Sequence, residues 1–132
     1  LGKFEKWILI ACFKKTIQHD LPDDWRRPRG HRRIEAADGF HDKYLFKSEI
    51  LLNYFPALRL SQKQSLFDDV VEKFQTDNLY RKALVTYRRT ADQLGAKGLI
   101  KEFVGDDSPS WTGIQLTEAG IWKAIELDLS KY

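Results

Sequence analysis

Several residue types and motifs are rare or missing in this sequence, and each absence excludes a class of structure or function. Its 132 residues include no methionine and a single cysteine, Cys12, which excludes an internal disulfide framework. The single cysteine, together with the lack of a recognisable secretory leader, predicts a reducing, cytoplasmic setting. The apolar run Trp7–Phe13 is far shorter than the roughly 20 residues that span a bilayer. Neither a glycine-rich phosphate loop nor a serine nucleophile elbow occurs.

The sequence also lacks a recognisable catalytic constellation. Residue types that bind metals occur between residues 19 and 42, but their spacing matches no compact ligand motif. Cys12 lies in an apolar run, so we expect a buried, inert thiol rather than a nucleophile. We therefore expect no enzyme, no cofactor and no metal site. The metal-binding types are His19, Asp20, His31, Asp38, His41 and Asp42.

Charge is present in quantity but is unevenly distributed. The net charge of +3 is too small to indicate nucleic-acid binding by itself. However, the segment from Leu79 to Lys101 holds six basic residues against Asp92 alone, and the segment from Arg26 to Arg33 holds five arginines and no acid. Acidic residues elsewhere mask these two basic concentrations, so their positions carry more information than the total.

Hydrophobic periodicity predicts one α+β domain over residues 1–132, mostly α. Apolar residues recur at helical spacing in most segments. Two short segments are predicted to be strands, and a long polar turn separates them. Prolines and glycines interrupt the segment 19–43, which we expect to be a basic irregular insertion. The predicted helices are Phe4–Gln18, Tyr44–Phe55, Ser61–Gln75, Asn78–Ala96 and Glu118–Leu129, and the predicted strands are Leu99–Val104 and Trp111–Leu116.

Apolar residues mark one face of several predicted helices. In the helix that ends near Ala96, Leu84, Tyr87, Ala91 and Leu94 recur at helical spacing. In the last helix, which Thr117 is placed to cap, a second apolar stripe is expected to pack in the core or against a second subunit. That stripe consists of Ile121, Trp122, Ile125 and Leu129.

The polar face of the predicted helix 79–96 is the main candidate functional site. Lys82, Thr86, Arg89 and Gln93 fall on one side, opposite the apolar face. A helix in the major groove needs such a polar face, backed by an apolar one that fixes its angle. By residue type, arginine suits guanine, glutamine suits adenine, threonine suits a thymine methyl and lysine suits a phosphate. The alternative is an ordinary amphipathic helix with a solvated basic face.

Two stretches carry a resemblance to a known family. Residues Tyr87–Ile100, YRRTADQLGAKGLI, and Leu116–Gly120, LTEAG, resemble the end of the recognition helix and the return from the wing in winged helix-turn-helix proteins. The resemblance is to transcriptional regulators of the MarR and PadR type and covers residues 79–126. It implies that helix 79–96 is the recognition helix, with 61–75 as its supporting helix and 99–116 as the wing.

The resemblance further implies double-stranded DNA as the partner, transcriptional regulation as the function, and a homodimer formed through the apolar terminal helices. Arg88 lies beside Arg89 on the recognition helix and joins the expected DNA-binding residues. One departure is the tip of the wing, which carries Asp106 and Asp107, two residues that phosphates would repel. The alternative is a winged helix that mediates protein assembly without binding DNA.

The arginine-rich segment from Arg26 to Arg33 is a second candidate DNA contact. Its Pro-Arg-Gly core, flanked by arginines, resembles an AT-hook, in which arginines lie in a narrow minor groove. His31 stands where a further arginine is usual. The alternative is a solvated loop that pairs with nearby acidic residues. The candidate residues in this segment are Arg26, Arg27, Arg29, Arg32 and Arg33.

Overall fold

The computed structural model describes residues 1–26, 43–55, 78–103 and 112–129. Helices predominate, and one small antiparallel sheet accompanies them, which confirms the α+β, mostly α class. The elements in these ranges are α1 (Lys3–Phe13), a π-helical turn (Lys14–Gln18), β1 (Leu45–Phe46), α2 (Lys47–Tyr54), α3 (Asn78–Ala96), β2 (Ile100–Phe103), β3 (Gly113–Leu116) and α4 (Glu118–Leu129).

The first helix keeps the predicted extent but changes its winding. At its start, the Gly2 N–H donates to Oε1 of Glu5 at 3.1 Å, which satisfies one amide that has no helical partner. Beyond Phe13 the chain widens into the π-helical turn, where the Thr16 hydroxyl donates to the Cys12 carbonyl at 2.6 Å. His19 then ends the helical segment in the left-handed conformation, with φ of 54°.

The sheet has three strands in the order β1-β3-β2, with β3 antiparallel to both neighbours. The predicted hairpin is confirmed: Ile100 pairs with Leu116, and Phe103 pairs with Gly113. The prediction of only two strands was wrong, because Leu45 and Phe46 form β1 where a helix was expected to begin at residue 44. Helical spacing through 45–55 hid β1, whose two buried residues pair with β3.

A junction between α3 and α4 closes the hairpin onto the core. Gly98 ends α3 with φ of 73°, the left-handed conformation that favours glycine. The Thr117 hydroxyl donates to the Gly98 carbonyl at 2.6 Å and accepts from the Gly120 N–H at 3.1 Å, so Thr117 caps α4 as predicted. Gly120 lies so close to the chain that a β-carbon there would stand 1.9 Å from the Leu99 carbonyl oxygen.

The core lies where α1 meets the other helices and the sheet. Ile8 and Leu9 of α1 are fully buried, as are Tyr87 and Leu94 of α3 and Ile114 of β3. Removing this apolar surface from water is the main favourable contribution to folding. Because α3 presents its apolar side to this core, its opposite side faces outward.

A buried ion pair joins the π-helical turn to α2. The Lys15 ammonium binds Oε1 of Glu49, and the two side chains are 1% and 0% exposed. The same carboxylate accepts the Trp25 indole N–H at 2.8 Å and the Phe46 backbone N–H at 3.3 Å. The Lys15 ammonium also lies 4.9 Å from the centre of the Phe46 ring. Several partners therefore compensate the carboxylate for its lost hydration.

The last helix only partly follows its predicted stripe. Ile121 and Ile125 are half-buried against the core, but Trp122 is 66% exposed and Leu129 is 67% exposed. A core position for Trp122 and Leu129 within this chain was therefore wrong. They are seven residues apart, which places them on the same outer side of α4.

Candidate nucleic-acid interface

The third helix has the two faces that the sequence predicts. Tyr87, Ala91 and Leu94 are buried and Leu84 packs against the core, which confirms the apolar face. On the outer face, the side chains of Lys82, Thr86, Arg89 and Gln93 are all exposed. The division follows from a helical repeat of 3.6 residues, which brings positions separated by three or four to one side.

Val85 belongs to the same exposed face, although the sequence analysis did not select it. It lies three residues after Lys82 and four before Arg89, and it is 58% exposed. The sequence signal was the spacing itself, since 82, 85, 86, 89 and 93 continue one helical stripe. We name these five residues the α3 outer face. It combines two cations, an amide, a hydroxyl and an apolar side chain.

The two cations of the α3 outer face are not neutralised by neighbouring acids. Among the residues that the structure describes, neither Lys82 nor Arg89 forms an ion pair. The Thr86 hydroxyl, by contrast, already donates to the Lys82 carbonyl at 2.9 Å. The proton of the Thr86 hydroxyl is thus already used within the helix.

Arg88 occupies a different side of the helix from the α3 outer face. Its guanidinium donates to both carboxylate oxygens of Glu102 on β2, at 2.7 and 2.6 Å, and to Asp92 at 3.0 and 3.2 Å. The hydrogen bonds to Glu102, with a smaller contribution from Asp92, raise the pKa of Arg88. A bidentate contact between arginine and a carboxylate fixes the relative orientation of the two groups, so Arg88 holds α3 against the hairpin. A DNA contact by Arg88 stays a prediction.

The charges of Arg88 and Glu102 also affect the pKa values of nearby groups. Burial lowers the pKa of Lys47 at the start of α2, the charge of Arg88 lowers it further, and Glu102 opposes both. Burial raises the pKa of Tyr87, and the charge of Glu102 adds to that effect. The Tyr87 hydroxyl finds no hydrogen-bond partner within the described part of the chain. Tyr87 therefore serves the core side of α3.

The end of α3 is anchored by another basic residue. Lys97 donates to Oε2 of Glu5 at 2.7 Å, which ties the end of α3 to the start of α1. Burial alone would raise the pKa of Glu5, but the hydrogen bonds from Lys97 and the Gly2 N–H outweigh it and lower the pKa. Thus Lys97 and Arg88 both position α3, whereas Lys82 and Arg89 form no ion pair with the described residues.

The second candidate site lies mostly outside the described residues. Arg26 is half-buried, and its backbone forms two hydrogen bonds with the side chain of Asn53 on α2: its N–H donates at 2.9 Å and its carbonyl accepts at 2.8 Å. The arginine-rich segment thus starts from a fixed point on α2. Outside the described ranges lie Arg27, Arg29, Arg32 and Arg33, the predicted helix 61–75 and the wing acids Asp106 and Asp107.

The other chemical groups of the described residues are placed as follows. Burial raises the pKa of the Cys12 thiol to about 12, and its Sγ lies 3.7 Å from the Ile114 carbonyl oxygen. Such a thiol is a poor nucleophile at neutral pH. Within the described ranges, no three side chains of the metal-binding types gather at one point. Likewise, no helix there has both the length and the apolar character to cross a membrane.

Comparison with known proteins gave no matching family model, no matching curated protein and no matching solved structure.

Proposed function

We propose that this chain is a winged-helix domain that binds double-stranded DNA, with α3 in the major groove, and that it regulates transcription. The observation that carries the proposal is the α3 outer face: two cations that form no ion pair with the described residues, a glutamine and two small side chains on one exposed side of a 19-residue helix. A rigid helix with an apolar back and a polar, basic front fits the groove's width.

The order of the elements supports the winged-helix assignment. Among the described elements, β1 and α2 precede α3, and α3 leads directly into the β2–β3 hairpin. The first strand then pairs with the last, so β3 lies between β1 and β2. Arg88 and Lys97 bind Glu102 and Glu5 respectively, so α3 is braced at two points. Such bracing would hold a recognition helix at a fixed angle to the duplex.

The proposed contacts follow from residue chemistry. Arg89 donates two hydrogen bonds to a guanine edge, Gln93 binds adenine, and Lys82 binds a phosphate. Val85 and the Thr86 methyl meet thymine methyl groups. Since Asp106 and Asp107 at the wing tip would repel phosphates, we propose that Arg26, Arg27, Arg29, Arg32 and Arg33 supply the second contact, in the minor groove. This is the role that the resemblance of this segment to an AT-hook implies.

A protein-assembly module is the second candidate function. Leu79 and Val85 are 53% and 58% exposed near the beginning of α3, and exposed apolar side chains next to cations also suit an acidic protein partner. In that case the α3 outer face would bind the partner, and the wing acids would be no obstacle.

Salt-dependent duplex binding tests the proposal. We expect the full chain to bind a fluorescent random duplex at about 50 mM salt, with an affinity that falls steeply as salt rises. The double variant Lys82→Ala/Arg89→Ala should bind at least about tenfold more weakly, with a log–log salt slope smaller in magnitude by about one, because of these two residues only Lys82 is assigned to a phosphate. The measurement is fluorescence anisotropy across a salt series.

A matched control separates position from total charge. Lys6→Ala/Lys123→Ala removes the same charge from α1 and α4 and should leave affinity and slope nearly unchanged. An equal loss in both double variants, or no duplex binding by the parent chain at low salt, would reject the proposal in favour of the assembly module.

The titration also gives the stoichiometry. Two chains per duplex are expected if Trp122 and Leu129 pair between terminal helices in a homodimer.

A further inference from the structure

A cleft lined by α1 has a composition that suits a small-molecule ligand. It encloses about 620 Å³, a volume within the usual range for small-molecule pockets. One face of α1, continued by Lys14 at the start of the π-helical turn, forms its floor, since Trp7, Ile10 and Lys14 follow each other at helical spacing. The turn that contains Leu21 and Trp25 lines it as well.

The aromatic wall of the cleft is held in place. The Trp7 and Trp25 rings stack with centroids 5.9 Å apart and planes inclined by 16°. Trp7 also meets the Tyr54 ring edge-on at 5.1 Å. The Trp25 indole N–H donates to Glu49 at 2.8 Å, which ties the wall to the buried ion pair. A wall fixed in this way costs little ordering when a ligand binds.

The charge around the cleft has one sign. Lys3, Lys6 and Lys14 all line it, and none of the described residues that line it is acidic. Throughout the described ranges, these three ammonium groups form no ion pair. Lys3 and Lys6 lie on α1 and Lys14 begins the π-helical turn that continues it, so the three lysines follow the floor along its length. The cleft therefore joins an apolar, aromatic interior to a row of uncompensated cations.

We propose that this cleft binds an amphipathic organic anion. The apolar body of the ligand lies against Trp7, Trp25 and Ile10, and its acidic group lies near Lys6 and Lys14. An apolar body alone would leave the cations unused, and a small inorganic anion would leave the tryptophans uncovered. Both features together select a molecule with one acidic end. The site is separate from the α3 outer face and does not depend on DNA binding.

Two probes with the same aromatic body test the site. Anilinonaphthalene sulfonate carries one negative charge, whereas N-phenyl-1-naphthylamine has the same ring system without it. We expect saturable binding of the sulfonate at one site per chain, measured by its fluorescence. Lys6→Gln/Lys14→Gln should weaken sulfonate binding about three- to tenfold, since partly exposed charge pairs are individually modest. Binding of the neutral probe should not change.

The control variant is Lys101→Gln, an exposed lysine on β2 outside the cleft, which should bind both probes as the parent chain does. Circular dichroism and thermal unfolding should show that the lysine variants fold, since Lys6 is exposed and Lys14 is half-buried. Three results would overturn the proposal: no saturable sulfonate binding, unchanged sulfonate affinity in Lys6→Gln/Lys14→Gln, or an equal loss for the neutral probe.

Discussion

Glu49→Leu is expected to lower the free energy of unfolding by about 3–5 kcal/mol. The substitution leaves the Lys15 ammonium buried without its carboxylate and removes the acceptor for the Trp25 indole N–H and the Phe46 N–H. A loss of this size is a large part of the stability of a small domain. Urea unfolding followed by circular dichroism measures it.

Two controls give the Glu49 result its meaning. Glu126→Leu removes an exposed carboxylate that lies 3.5 Å from Lys123 and should change the unfolding free energy by less than about 0.5 kcal/mol. Lys15→Met/Glu49→Leu removes both charges and should recover much of the loss, because a pair of apolar side chains avoids a buried charge that has lost its carboxylate. If the double variant were no more stable than Glu49→Leu, the broken Lys15–Glu49 ion pair would not be the cause of the lost stability.

Gly120→Ala is expected to destabilise the fold by about 3 kcal/mol, near the upper end of overpacking effects. The added methyl group would stand 1.9 Å from the Leu99 carbonyl oxygen, a backbone atom that cannot rotate away. To relieve this clash, α4 must move off the junction, which weakens the Thr117 hydrogen bonds to Gly98 and Gly120. Chemical unfolding at equilibrium gives the difference.

Gly95→Ala is the matched control for Gly120→Ala. Gly95 lies inside α3, and a β-carbon there meets nothing within 4 Å. Alanine at this helix position should raise the free energy of unfolding by up to about 1 kcal/mol. Opposite signs for the two glycines are therefore expected. If both variants were destabilised equally, close packing at Leu99 would not explain the glycine in LTEAG.

The sequence predicts the local elements of this protein better than its long-range contacts. The periodicity of α3 gives both of its faces, because burial in a helix repeats at a spacing that can be read directly. Thr117 marks the start of α4 for the same reason, because it satisfies a requirement of the local backbone. The sequence did not reveal the close approach of Gly120 to Leu99.

Long-range pairings escaped the sequence analysis. Lys15 and Glu49 are separated by 34 residues, and neither has a neighbour pattern that indicates its partner. The two residues of β1 are too few to show alternation, so their place in the sheet depends on β3. Arg88 looked equivalent to Arg89 in the sequence, yet Glu102 binds it from the hairpin. Which basic residues are already paired is decided by the fold.

The same pairing determines what α3 has left for a partner. Arg88 and Lys97 are used to hold the helix, whereas Lys82 and Arg89 are exposed with Val85, Thr86 and Gln93 between and beyond them. In the cleft, Lys3, Lys6 and Lys14 are likewise unpaired within the described residues. The structure thus separates basic residues that stabilise the domain from those that we propose bind ligands.

Chemical-shift mapping with a DNA duplex tests the central proposal most directly. With the ¹⁵N-labelled chain, addition of a short duplex at low salt should shift the backbone amides of 82–93 on α3 most strongly. The amides of α4 around Trp122 should change little. Shifts concentrated on α4 or in the α1 cleft, with 82–93 unaffected at saturation, would contradict the assignment of the α3 outer face as the DNA-binding surface.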